Sequence, residues 1–348
     1  MQATRLENVI SKTVEQFNSD ISDISIRLVR AHGLTHQAPD NQLDLALDRW
    51  MDYRLRRITS QPREVHKSSR FPIDCLPSTA QEALSLIEAR FARGDDVNPY
   101  LSKGTINNDV AHPKQQNRTD GLWADWGIHH FHLTTEPLAE CQRFSKRSGW
   151  LLFAKIYDDA VAFIDVRDHD EDCLWTQDDL LKTFISSWPE QAERFRITMM
   201  KLESREQSPE TLKKFRSAGV FVPIEHGGNF YFGPGGGVTM AATSTRVSRA
   251  CMDVRAYAQQ IATWLFDMPD NGPWVELRSR GIENPQFHIG FNEVGLILGE
   301  MTTPNEYWQF TRSSGEDASN PMQALNDLFL PEWAAAPLIA DLKSKQST

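Results

Sequence analysis

The sequence predicts an α+β protein built on antiparallel sheet, and three observations carry that expectation. Residues 1–92 hold three segments whose apolar side chains recur at three- and four-residue steps. From residue 121 the pattern changes to short runs rich in aromatic and β-branched residues, WGIHHFHL, GWLLFAKIY and AVAFIDVRDH, bounded by turn signals. Helices and strands cluster rather than alternate, which argues against a βαβ chain.

Each element has its own justification. Residues 4–31 place Leu6, Val9, Ile10, Val14, Phe17, Ile21, Ile24 and Leu28 at three- and four-residue steps, and residues 41–58 read as a second helix with Leu43, Leu45, Leu47, Trp50, Met51 and Leu55. Pro62 and Pro72 bound an extended connection. A third helix is expected over 78–92, with Ser78 as its cap and Gln81 and Glu82 at capping distance. Residues 94–120 are rich in turn formers and read as a long loop. Strands are expected at 126–133, 150–157 and 161–168, the last two joined through Asp158 and Asp159 as a hairpin. A helix over 176–188 opens at Thr176, carries Asp178 and Asp179 in its first turn and stops at Pro189.

A second α+β unit begins near 195. FRITMMKLE reads as a strand, SPETLKKFRSAG as a helix, and GVFVPIEHGGNFYFG as a hairpin turning on His226–Asn229. The glycine run Gly233–Gly237 lacks the GK[ST] of a phosphate loop and reads as a tight turn with positive φ. A helix over 245–266 follows, then strands in WVELRSRG, FHIGFN and VGLILGEM, and short helices around Pro321, Pro331 and Pro337. The expected segments are 1–120, helical with a long loop; 121–190, sheet and helix; and 195–348, a C-terminal unit of unassigned role.

Net charge is −10, which excludes a protein that coats nucleic acid through sheer positive charge. Residues 1–120 are neutral, with 16 basic and 16 acidic side chains, so residues 121–348 hold the whole excess. Residues 49–70 nevertheless carry seven basic and two acidic side chains. Arg54, Arg56, Arg57, Arg63, Lys67 and Arg70 are interleaved there with Trp50, Tyr53 and Phe71, the mixture that RNA uses for phosphate contact and base stacking. Cys75, Cys141, Cys173 and Cys251 are scattered without CxxC spacing and read as reduced thiols. No run approaches the roughly 18–20 apolar residues of a membrane span, and the N-terminus has no secretory pattern. A cytoplasmic protein is expected, with neither membrane nor DNA as partner.

Four of the ten histidines fall between residues 129 and 169. Alternate strand residues share a face, so His130 and His132 point together while His129 points away. The next strand splits into Leu151, Phe153, Lys155 and Tyr157 against Leu152, Ala154 and Ile156. The third splits into Val161, Phe163, Asp165 and Arg167 against Ala162, Ile164 and Val166. A three-residue hairpin loop puts Lys155 and Arg167 on one face; a two-residue loop separates them. With the faces aligned, His130, His132, Lys155 and Arg167, with His169 beyond the strand end, form a half-exposed site for metal-free phosphodiester cleavage. Histidines act as base and acid, and the cations stabilise the phosphorane. Two other readings stand beside it. One is a metal-dependent enzyme using His130, His132 and Glu136 in an HxHx3E pattern; the other is a non-catalytic interaction scaffold.

The order of elements over residues 80–185, with WGIHHFHL, WLLFAKIY and AVAFIDVRDH in the middle, resembles the RelE/ParE-like toxins, a group of metal-independent ribonuclease folds. The resemblance places His130 or His132 where that family often has arginine, and Arg167 or His169 at the end of the last strand. It implies a hydrolase that cleaves or binds RNA without a cofactor, in a toxin–antitoxin or phage-defence setting. A cognate antitoxin or another protein would be its partner.

Overall fold

The computed structural model describes the chain apart from residues 1, 38–42, 173, 175–177, 199–207, 209, 212–213, 216–217, 219, 221, 268–271, 303–306, 310–319 and 347–348. It is an α+β protein. Of the strand expected over 195–203, residues 199–203 lie outside the described residues, as does half of the helix expected over 208–219; Thr176 and Cys173 lie outside them too. In chain order the principal elements begin with α1 (Gln2–Ala31), α2 (Leu43–Arg56), β1 (Glu64–Lys67), α3 (Ser78–Arg93), α4 (Gly104–Asn107) and α5 (Gly121–Trp126). They continue with β2 (His129–His132), β3 (Trp150–Ile156), β4 (Ala160–Asp168), α6 (Asp179–Ser187), α7 (Pro189–Glu193), β5 (Ile224–His226) and β6 (Asn229–Tyr231). The C-terminal part supplies α8 (Thr245–Asp267), α9 (Pro273–Ser279), β7 (Phe287–Phe291), β8 (Leu296–Glu300), β9 (Tyr307–Gln309), α10 (Pro321–Phe329) and α11 (Glu332–Gln346).

The chain divides into two compact units that do not follow the three consecutive segments expected above. One comprises residues 52–247; the other is assembled from residues 1–51 and 248–348. In the second, the apolar stripe of α1 (Phe17, Ile21, Ile24, Leu28) is buried. The carboxylate of Asp20 accepts a 2.7 Å hydrogen bond from Ile289 N of β7. His32, Trp50 and Trp333 form an aromatic cluster with centroids 5.3–5.8 Å apart. β7, β8 and β9 make an antiparallel sheet in that order. WVELRSRG, expected as a strand, is the helix α9: Pro273 sits in its first turn, where a missing N–H costs nothing.

The unit 52–247 holds a four-stranded sheet in the order β1-β4-β3-β2. β2–β3 and β3–β4 pair antiparallel as expected, whereas β1, from the polar run EVHK, adds in parallel to β4 with Val65 opposite Val161. Both faces of the sheet are covered. One packs Phe131, Leu152, Ala154, Val161 and Phe163 against Ala83, Ile87 and Phe91 of α3. The other packs Ile128, Leu151, Phe153 and Ile164 against Leu122, Trp126, Leu180 and Phe184 of α5 and α6. The expected long loop 94–120 is instead folded down, with Val97, Tyr100, Leu101 and Val110 buried. Pro77, not Ser78, occupies the N-cap of α3, and Gly94 ends that helix with φ +79°. Pro189 ends α6 as expected but also starts α7.

The hairpin settles the register. Tyr157 N donates to Ala160 O and Ile156 lies opposite Val161, so the loop is the two residues Asp158–Asp159. On that count Lys155 and Arg167 would lie on opposite faces. A β-bulge intervenes: Ala154 is opposite Phe163 while Phe153 is opposite Asp165, leaving Ile164 as the extra residue. The bulge reverses the phase of β4, so Asp165 and Arg167 share the Phe153 face while Val161 and Phe163 remain on the other. The face division expected for β4 is therefore corrected in its first half.

Candidate functional site

The histidine strand is interior. His130 and His132 are buried, which corrects the half-exposed face expected of them. His132 is fully engaged: Arg147 Nη1 donates to its Nε2 at 3.1 Å, so the proton sits on Nδ1, which faces Ser148 O at 3.4 Å. Burial and then the Arg147 charge lower its pKa to about 4. His130 Nδ1 lies 3.6 Å from Asp120 Oδ2, and burial lowers its pKa despite that carboxylate. Burial and the Arg56 charge push His129 down to about 3. All three are neutral imidazoles at neutral pH.

Asp120 anchors a buried ionic chain. Its Oδ1 caps α5 by accepting from Leu122 N (3.0 Å) and Trp123 N (3.2 Å). Its Oδ2 pairs with Arg56 Nη2 at 3.5 Å. Arg56 Nη1 donates to Asp52 Oδ2 and to Gly104 O, each at 3.2 Å, and Thr119 Oγ1 donates to Asp52 Oδ1 at 2.7 Å. Arg56 is thus a structural cation, not an RNA contact. Arg63 is likewise buried, donating to Tyr157 O and Thr59 O at 2.8 Å each. Lys67 pairs with Glu88 at 2.7 Å and Arg57 with Asp96 at 3.7 Å. Arg54 is half-buried; of the six basic residues read as an RNA stripe, Arg70 is the exposed one.

The remaining expected residues separate by partner. Arg167 is held by Asp165 at 2.8 Å, by Glu171 at 3.3 Å and by Asp179. Three carboxylates leave it no charge to offer a phosphate. His169 stacks on His132 with centroids 6.0 Å apart, continuing a row in which His130 and His132 are 6.4 Å apart. Glu136 pairs with Lys146 at 2.5 Å, and among the described residues no three His, Cys, Asp or Glu side chains are placed to hold a metal ion. The HxHx3E reading is corrected accordingly.

Lys155 stands in a different setting. It is 8% exposed, and its Nζ lies 5.7–5.8 Å from the ring centroids of Tyr157, Phe184 and Phe195. Gly127, the left-handed C-cap of α5 at φ +67°, lies against it without a side chain. A Cβ on that glycine would stand 3.1 Å from Lys155 Nζ and 3.4 Å from Arg246 Nη2, so two cations converge on one point. Arg246, in the first turn of α8, lies over the Trp123 ring at 5.4 Å and donates to Pro234 O at 3.0 Å. Among the described residues neither cation has a carboxylate partner.

The helix end does not use them either. The carbonyls of Trp123, Ala124 and Asp125 accept from Gly127 N (2.8 Å), Gly237 N (3.0 Å) and Gly235 N (2.9 Å). This is the task of the glycine run. A Cβ on Gly235 would stand 2.6 Å from Trp123 O, and Gly236 and Gly237 have φ of +89° and +93°. The run is a turn docked on α5, as its lack of a phosphate-loop motif implies. Trp123, 1% exposed, keeps an indole N–H with no hydrogen-bond partner among the described residues, as do both ring nitrogens of His129 beside it. Burial, then Arg246 and Arg194, lower the Lys155 pKa to about 7. Burial raises Tyr157 to about 12, so its hydroxyl stays protonated. The arrangement can hold an anion and exchange a proton with it near neutrality.

The sequence located Lys155 but missed Arg246, Gly127 and Asp120. Its signal for Arg246 was only a basic residue nine positions after the glycine run. No family model, curated protein or solved structure matches the chain.

Proposed function

We propose that this chain acts on RNA by metal-independent phosphodiester chemistry, with the phosphate held at Lys155 and Arg246 rather than along the histidine row. The reading rests on the convergence, beside Gly127, of two cations that lack a carboxylate partner among the described residues. It keeps the reaction class implied by the RelE/ParE-like resemblance and retains Lys155, with Arg246 in place of the histidines and Arg167. With a pKa of about 7, Lys155 is partly unprotonated at neutral pH. The neutral amine removes the proton of a ribose 2′-hydroxyl, whose oxygen forms a bond to phosphorus. The bond from phosphorus to the 5′-oxygen breaks, and that oxygen takes a proton from solvent. Arg246, which stays charged, stabilises the added negative charge on the phosphoryl oxygens.

The test is incubation of single-stranded RNA with the protein in EDTA. Cleavage giving 2′,3′-cyclic phosphate ends is expected, falling at least 100-fold in Lys155→Met with the fold intact by circular dichroism. Dependence on an added divalent ion, or no cleavage of any RNA, would overturn the proposal; the latter result, with RNA still bound, would favour the scaffold reading.

A further inference from the structure

Two of the three rings around Lys155 reach the surface. Phe184 is buried in the core beneath the sheet, whereas Tyr157 and Phe195 are half-buried. Both are held at backbone level. Tyr157 closes the β3–β4 hairpin through its N–H to Ala160 O at 2.9 Å, and its carbonyl accepts from Arg63 Nε at 2.8 Å. Phe195 N donates to Ala192 O at 2.9 Å, and Phe195 O accepts from Phe232 N at 2.8 Å. Arg194 places its guanidinium 5.9 Å from the Phe195 ring centroid, adding a third cation on that side. A pre-positioned, partly exposed aromatic wall therefore adjoins a pair of convergent cations.

We infer that Tyr157 and Phe195 form a base-stacking wall, so that the site takes an unpaired nucleotide with its phosphate toward Lys155 and Arg246. The inference rests on the anion-site reading above and adds the substrate class to it. A phosphate alone needs no aromatic surface, and a base paired in a duplex has its faces covered by its neighbours; a splayed single-stranded nucleotide offers both a charge and a free π-face. Arg194 strengthens the wall, because a guanidinium against an aromatic ring is a recurrent element of single-strand binding. Tyr157 contributes its protonated hydroxyl as a donor toward the sugar or base edge.

The test is calorimetric binding of inorganic phosphate, ribose 5-phosphate and adenosine 3′-monophosphate to the full chain. The nucleotide is expected to bind at least tenfold more tightly than the sugar phosphate. That ratio should fall to about one in Phe195→Leu, with Tyr157→Leu as the second variant should the first fail to fold. Equal affinities of nucleotide and sugar phosphate in the wild type, with phosphate bound, would overturn the aromatic wall and leave the anion site standing. No binding of inorganic phosphate would overturn both.

Discussion

Lys155 and the strand histidines titrate in the same sense with respect to stability, in different pH windows. The folded pKa of Lys155, about 7, lies below its ordinary 10.5, so the unfolded chain binds the extra proton between those values. Stability should therefore rise with pH from 7 to 10.5, at up to about 1.4 kcal/mol per pH unit from this group. Arg246 stays charged in that window, Tyr157 stays protonated, and His129 stays neutral. Lys155→Met should flatten the slope in urea unfolding, and an unchanged slope would refute the buried-ammonium assignment. His132, lowered to about 4, and His129, lowered to about 3, contribute stability that is present above 6.5 and lost as pH falls through those values. His132→Asn should narrow the stability gap between pH 7 and pH 5 measured by the same method. The histidine cluster was legible in HHFH, yet its burial was not. Alternation tells which residues share a face, and only the helices placed over that face decide whether it is wet.

At the scale of elements, α5 is six residues long and depends on its two ends. Asp120→Ala removes the N-cap and one carboxylate partner of buried Arg56, so a loss of about 3–5 kcal/mol is expected in chemical denaturation. Asp120→Asn keeps a capping oxygen and should cost at least about 1 kcal/mol less. Equal costs would show that the cap contributes nothing. At the other end, Gly235→Ala drives a methyl into the carbonyls of α5 and should lower the melting temperature more than Gly149→Ala, where a Cβ meets nothing within 4 Å. The three antiparallel strands were legible because WLLFAKI and AVAFIDV carry β-branched and aromatic residues between turn signals. β1 was not, since a run of three polar residues and one valine acquires strand character only by pairing with β4, nearly a hundred positions away. The bulge at Ile164 was equally hidden. It decides which side Arg167 takes.

On the scale of the whole molecule, an acidic chain of net charge −10 offers a local cationic site rather than a basic surface. No helix among the described residues is long and apolar enough to cross a membrane. With Arg56, Arg57, Arg63 and Lys67 engaged internally, phosphate contact reduces to about two cations, so log affinity for single-stranded RNA should fall with log salt at a slope of about −1.4. A slope of −4 or steeper would restore the basic stripe as the contact surface. Composition excluded a non-specific coat, but it could not reveal that Lys155 and Arg246 meet, because they are joined only through the docking of the glycine run on α5. The most direct test of that meeting is the titration of the Lys155 ammonium by NMR, with and without inorganic phosphate. A pKa near 7 that phosphate raises while leaving it below the ordinary lysine range is the predicted result. An ordinary lysine pKa that phosphate leaves unmoved would contradict the account.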